Sequence, residues 1–462
     1  MPWLPKAFKY GLLRASAQTA ATTSASTPTS NVPSSEASFA ASAAIAELTA
    51  GLDFVFDHFG NGDGPDGDQF QYHLERLAEE AERYPGSSLG RIVGKAGARA
   101  QWSGSLSPGT SEFLRVICQC AIMVYDQKQE VSGPKGFEIE PVLHRTPSSM
   151  GTVKAASMWK VPFTPIPGWS GKTLVVSVRG SATIADHMVN MNGKSKDIRS
   201  LFTVEGEDIT AHAGFLHCAE ALVPAITRDI IQQLNADGAI NNIIFTGHSA
   251  GGAVASLVFL HFAFHKHLPS QLAQAQLSLI TFGSAPTTSS SITSICKSRP
   301  NVDLVLSIVN EYDMVCRADA PYLRSLVNLY RLGHGLPPIA VSNDNRETSL
   351  PQQTDRKEAW PLPLPTYHLV GDIIVLQLRL MDTPSRHDDD AFSQASTVLS
   401  PVVDAIEVTP GEFSKLLFCD IGTHRRAAYL ERVQMLVSQA CGSTLSVGGS
   451  LSAFPEDSNT SS

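Results

Sequence analysis

The chain has 462 residues, 43% hydrophobic and 17% charged, a balance that supports a sizeable packed core and excludes fibrous and wholly disordered classes. A formal net charge of −9 with no dense Lys/Arg block excludes nucleic acid as the main partner, because most of such a surface repels a polyanion. Seven scattered cysteines lack the paired spacing of a zinc or redox site and read mostly as buried small hydrophobes. With one N-glycosylation triplet, Asn459-Thr460-Ser461, they favour an intracellular protein.

Residues 1–35 carry Lys6, Lys9 and Arg14, no acidic residue, and a Ser/Thr/Ala-rich run. The basic residues interrupt every apolar stretch that could serve as a secretory signal, so secretion by that route is not expected. The composition of 1–40 fits either a mitochondrial transit peptide or a polar leader without structure. From Ala41 to Phe59 the apolar residues Ile45, Leu48, Leu52 and Val55 recur at helical spacing, and helices are predicted again over Tyr72–Arg83 and Phe113–Tyr125. Beyond Gly133-Pro134 the period changes. Strands are predicted at Phe137–His144, Ser157–Val161 and Thr173–Val178, then a helix over Phe215–Leu234 that Pro224 could kink. A strand at Ile243–Phe245, a helix over Gly251–Phe264, and strands at Leu277–Phe282, Leu304–Val309 and Ile373–Leu378 follow. Such alternation implies a mainly parallel central sheet flanked by helices, an α/β fold. The stretches Gly333–Pro365 and Met381–Thr397 read as irregular surface insertions, and the tail from Ser443 as polar and without structure. The organisation expected is a leader (1–40), one domain (41–442, core motifs at 172–320) and a tail (443–462). The most apolar stretch, Ala253–Phe264, is about a dozen residues against the ~20 that a membrane-spanning helix needs.

Chemistry concentrates in Ile243–Gly252, where G-x-S-x-G (Gly247-His248-Ser249-Ala250-Gly251) follows a strand and opens a helix. That setting suits a nucleophilic serine on a sharp strand-to-helix turn, with glycines two residues away on either side giving the strained backbone room. The helix N-terminus then faces any developing negative charge. Asp313 stands at the carboxyl end of a predicted strand, where open α/β sheets collect their ligands. A base completing a Ser, Asp, His order must follow Asp313, which leaves His334, His368, His387 and His424. His248, next to the serine, is expected to pack rather than titrate.

Five ordered segments together resemble the class 3 lipases, the fungal triacylglycerol lipase group of the α/β-hydrolases. They are Leu174–Ser181 (ending Arg-Gly-Ser), Ala211–Phe215, the Ser249 segment, Thr281–Pro286, and Asn310–Arg317 with its Asn-x-x-Asp-x-Val-x-Arg pattern. The resemblance implies an α/β-hydrolase fold, with Ser249 as nucleophile and Asp313 orienting the histidine. It also implies an oxyanion hole from the Ala250 N–H and Ser181. It favours His424, in the last helical segment, over His368 as the base. Ala250 departs from the family's usual Leu, a change the backbone donor tolerates. The segment 184–210, with Met188, Val189 and Met191, lies where family members often carry a lid, and is read equally well as ordinary packing.

What the resemblance implies is hydrolysis of carboxylic esters of lipids, acylglycerols or their relatives, with no metal or organic cofactor. Transient contact with a membrane or lipid-droplet surface goes with it, in an intracellular setting, cytoplasmic, membrane-peripheral or mitochondrial. Two other readings stay open: a lipid transacylase, in which an alcohol replaces water, and an inactive lipid-binding homologue.

Overall fold

In a computed structural model the described residues are 67–94, 102, 108–125, 131–133, 138–145, 155–162, 169–180, 195–204, 206–265, 269–338, 359–384 and 397–441. The leader, the helix expected over 41–59 and the tail lie outside them. Helices α1 (Gly67–Glu82), α2 (Leu89–Gly94) and α3 (Pro108–Met123) come first, and α3 buries Phe113, Leu114, Val116, Ile117 and both Cys118 and Cys120. Strands β1 (Glu140–Arg145), β2 (Ala156–Val161) and β3 (Lys172–Val178) follow, then a short ribbon of β4 (Ser195–Asp197) and β5 (Thr210–His212). The remaining elements are α4 (Ala213–Ala236), β6 (Ile240–His248), α5 (Ala250–Phe264), β7 (Gln276–Phe282), β8 (Val302–Asn310), α6 (Ala320–Gly333), β9 (Asp372–Pro384), β10 (Thr397–Val408) and α7 (Arg426–Ala440).

Eight strands form one sheet in the order β1-β2-β3-β6-β7-β8-β9-β10. The run from β3 to β9 is parallel, and antiparallel neighbours close both edges. The parallel strands bury both faces, so Leu174, Val175, Val176, Ile243, Ile244 and Phe245 are all fully inaccessible. This is why they read as continuous apolar runs rather than alternating ones. One face packs under α3 and α7, the other under α4 and α5. Helix α5 is apolar all round because it is enclosed on every side, with fourteen of its fifteen residues buried. Among the described residues no helix is long and apolar enough to cross a membrane.

The structure corrects the expected elements in two places. Helix α6 was not expected, although Asp319 caps it through the Tyr322 N–H and a proline stands in its first turn. Met381–Thr397 is not simply an insertion: β9 runs on to Pro384 and β10 begins at Thr397, so the two ends of that stretch form an antiparallel pair. The acidic run Asp388–Asp390 and His387 lie outside the described residues. Helix α4 runs through Pro224, as the helix expected over Phe215–Leu234 does. Six of the cysteines are buried and Cys441 is exposed, none of them in a disulfide, in keeping with the hydrophobic reading.

Candidate active site

Ser249 stands between the carboxyl end of β6 and the N-terminus of α5 with φ 61° and ψ −134°. A positive φ costs a residue with a Cβ of order 1–3 kcal/mol and persists only where neighbours enforce it. Here the enforcement is close packing of strand on helix. A Cβ on Gly247 would lie 2.5 Å from the Gly251 carbonyl carbon, and one on Gly251 would collide with the Val178 carbonyl oxygen at the end of β3. The two glycines of the motif therefore let three backbone segments meet. The Ser249 N–H donates to the Phe282 carbonyl at 3.1 Å, tying the turn to β7. The hydroxyl is buried and makes no hydrogen bond among the described residues. The Ala250 N–H, first of the helix, has no main-chain acceptor among the described residues, as the first turn of a helix leaves it. Ser181 and residues 184–194 of the stretch 184–210, read either as a lid or as ordinary packing, lie outside the described residues. The rest of that stretch forms β4, a 3-10 turn over Ile198–Ser200, and the approach to β5.

Asp313 and His424, distant in sequence, meet in the interior. His424 Nδ1–H donates to Asp313 Oδ2 at 2.8 Å, with both side chains fully buried. The other oxygen, Oδ1, accepts the Val315 N–H at 2.9 Å. Tyr429, at the start of α7, donates its hydroxyl to Oδ2 at 2.7 Å while accepting the Asn310 N–H at 2.9 Å. Burial first, and the Asp313 charge second, hold the Tyr429 phenol well above its ordinary range, so it stays a donor. A cavity for its ring exists because Gly283, at φ 58°, has no Cβ to strike it.

The pattern around Asp313 explains how His424 arrives. Asn310 donates from Nδ2 to the Thr423 carbonyl at 2.8 Å. Arg317 donates from Nη1 to the carbonyls of Phe413 and Leu416 at 2.7 and 2.9 Å. The first and last residues of Asn-x-x-Asp-x-Val-x-Arg thus fasten the segment 413–424 across the end of β8. The third fastening comes from the serine's neighbour. His248 Nε2–H donates to the His424 main-chain carbonyl at 2.8 Å, and the two imidazoles pack with centroids 4.6 Å apart. Burial, then the nearby His424, keeps His248 well below the usual histidine pKa, so it packs as a neutral ring. The link from the Ser249 turn to His424 is therefore direct.

His368 is elsewhere. Its backbone bridges to Thr288, and it lines a small pocket with Arg317, Tyr367 and Phe413. His334 caps the end of α6 and packs on Tyr330. Neither is bonded to Asp313; His424 is. Two contributors escaped the sequence reading: Tyr429, which looks like any buried aromatic of an amphipathic helix, and the donor role of His248. Among the described residues no cluster of three or more His, Cys, Asp or Glu could hold a metal ion.

Residues 175–322 match the model of the family Lipase (class 3). No curated protein matches the chain. Similar solved structures include the Rhizomucor miehei lipase–propeptide complex, 18% identical over 49% of this chain and 67% of that one, with a TM-score of 0.34. A mutant of MDLA from Penicillium cyclopium is 13% identical over 68% and 92% of the two chains, with a TM-score of 0.39. A triacylglycerol lipase from Penicillium expansum is 14% identical over 64% and 84%, with a TM-score of 0.37. Likenesses this distant leave the argument to the family match and to the residues themselves. Residues 175–322, from the strand that precedes Ser181 to the helix that follows Asp313, are thus the part of the chain that resembles the class 3 lipases.

Proposed function

We propose that this protein cleaves carboxylic esters of lipids, acylglycerols above all, by acyl transfer through Ser249. One observation carries the reading. A buried Asp313–His424 pair is fastened through His248 to the turn that holds Ser249 at φ 61°.

In this reaction the Ser249 hydroxyl attacks the ester carbonyl carbon while His424 Nε2 takes its proton. The carbonyl electrons move onto oxygen, where the Ala250 N–H and Ser181 receive the charge; one such donor is worth about 2.7–4 kcal/mol. Collapse of the tetrahedral species breaks the bond to the alcohol, which leaves with the proton from His424. Water, deprotonated by the same nitrogen, then attacks the acyl-serine and releases the fatty acid and Ser249. Asp313 keeps the imidazole proton on Nδ1, so that Nε2 presents its lone pair, and stabilises the imidazolium that forms. Among the described residues the serine hydroxyl has no competing hydrogen bond to surrender as it turns toward Nε2.

The test is labelling of the folded protein by a fluorophosphonate probe, alongside hydrolysis of a short and a long acyl ester. Wild type is expected to label and to hydrolyse, and Ser249→Ala to do neither, with a loss of about 10⁶-fold in kcat. Labelling that survives Ser249→Ala ends the proposal. Product analysis with a labelled glycerol acceptor separates hydrolysis from transacylation.

A further inference from the structure

Two arginines beside the serine turn stand apart from the rest. Arg179, just past β3, and Arg426, the first residue of α7, both lie over the ring of Tyr125, with guanidinium carbons 5.5 and 4.6 Å from its centroid. Both are half-buried. Among the described residues neither guanidinium has a hydrogen bond or an ion pair. The other arginines that are not fully exposed all have acceptors: Arg115 on Glu112, for instance, and Arg317 and Arg432 on main-chain carbonyls. Partly desolvating two like charges against one ring without an anion is costly, and a cation–π contact returns only about 0.5–2 kcal/mol each. A protein of net charge −9 has no general need of such an arrangement.

The location is informative. Tyr125 accepts the Gly180 N–H at 3.0 Å and donates to the His248 carbonyl at 3.3 Å, so its ring is anchored to the residue before Ser249. Arg426 is two residues beyond His424, at a helix N-terminus with no acidic residue in its first turn, where the helix dipole adds to the positive potential. An alcohol leaving group takes its proton from His424, so whatever that alcohol carries is held on the imidazole side, toward Arg426. We infer that Arg179 and Arg426 form an anion site for a phosphate on the alcohol portion of the lipid ester, making anionic phosphoglycerolipids the favoured substrates. The inference rests on the proposed ester hydrolysis and adds the headgroup to it. A guanidinium suits this task, since it pairs with phosphate oxygens through two parallel N–H donors.

The test compares kcat/KM for a lysophosphatidic acid and for a monoacylglycerol of the same acyl chain in the same neutral detergent micelles. Wild type is expected to favour the anionic ester. Arg426→Gln and Arg179→Gln are each expected to lower the anionic-to-neutral ratio at least tenfold, chiefly through KM. The corresponding Lys variants are expected to retain most of it. Decyl phosphate is expected to compete with the anionic ester at concentrations where inorganic phosphate does not. A ratio unchanged in both Gln variants overturns the inference. So does an equal fall on both esters, which would make the arginines supports for Tyr125 alone. Equal competition by inorganic phosphate would assign the site to the free ion instead. A wild type that takes neither ester and resists the fluorophosphonate fails at Ser249, and the headgroup site falls with it. A wild type that labels and takes only the neutral ester overturns the headgroup site alone.

Discussion

The parallel centre of the sheet and its β9–β10 edge are built from the same residue types but under different constraints. At the carboxyl ends of β3, β6, β7 and β8 the backbone is crowded: Gly247 and Gly251 have no space for a Cβ, Ser249 and Gly283 sit at positive φ, and Asp313 has four donors. Along β9 and β10 a twelve-residue antiparallel register runs without irregularity, and Met381 and Leu399 stand exposed. Pro401 is accommodated in β10 because, among the described residues, no strand pairs with the outer side of β10. The edge has room for change and the centre has none. Chemistry is held where the chain has the fewest alternatives.

This contrast can be broken by substitution, and after Ser249 itself the largest effect is expected at Asp313. Asp313→Asn keeps the shape but reverses the tautomer preference of His424, so kcat for ester hydrolysis should fall about 10⁴-fold in steady-state assays. A fall below tenfold would mean that the pair does not serve catalysis. Tyr429→Phe comes next. It removes a hydrogen bond to a buried carboxylate, worth about 1.5–3 kcal/mol, and leaves the Asn310 N–H without its acceptor. A lower Tm is expected together with a changed pH profile of kcat, which a purely packing role of the ring would not alter.

A smaller and pH-dependent effect is expected at His248. Burial keeps its folded pKa well below the ordinary value of about 6.5. Between those two values the unfolded chain binds a proton that the folded chain refuses, so stability is full above about pH 6.5 and declines as the pH falls below it. Measured by thermal melts from pH 8 to 5, His248→Asn should flatten that decline. An unchanged slope would place the acid sensitivity elsewhere. The smallest effect belongs to the edge. Leu399, 57% exposed on β10, should accept Lys within about 0.5 kcal/mol in denaturant melts and without change in turnover. A large loss there would erase the distinction between the two regions.

The legible parts of the molecule were those whose local pattern and physical cause coincide. The apolar runs of β3, β6, β7 and β8 announce strands buried on both faces. Gly247 and Gly251 flank a residue that needs room, and Asp313 ends a strand. His424 was favoured over His368 only through resemblance, since nothing local to either histidine reveals which approaches a carboxylate 111 residues away. Tyr429 was illegible for the same reason: its partners, Asp313 and Asn310, come from the end of another strand. Helix α6 carried its signals openly in Asp319 and Pro321. Strand β10 was hidden by Pro401 and by the acidic run before it, both of which argue against a central strand but are compatible with an edge.

The burial of six thiols beside one exposed Cys441 makes the folded chain singly addressable. A maleimide dye should attach with one-to-one stoichiometry at the far end of α7. Fifteen residues of helix place it roughly 22 Å from the turn bearing His424. Such a dye would report on docking of that helix through its own fluorescence while leaving the reacting groups chemically untouched.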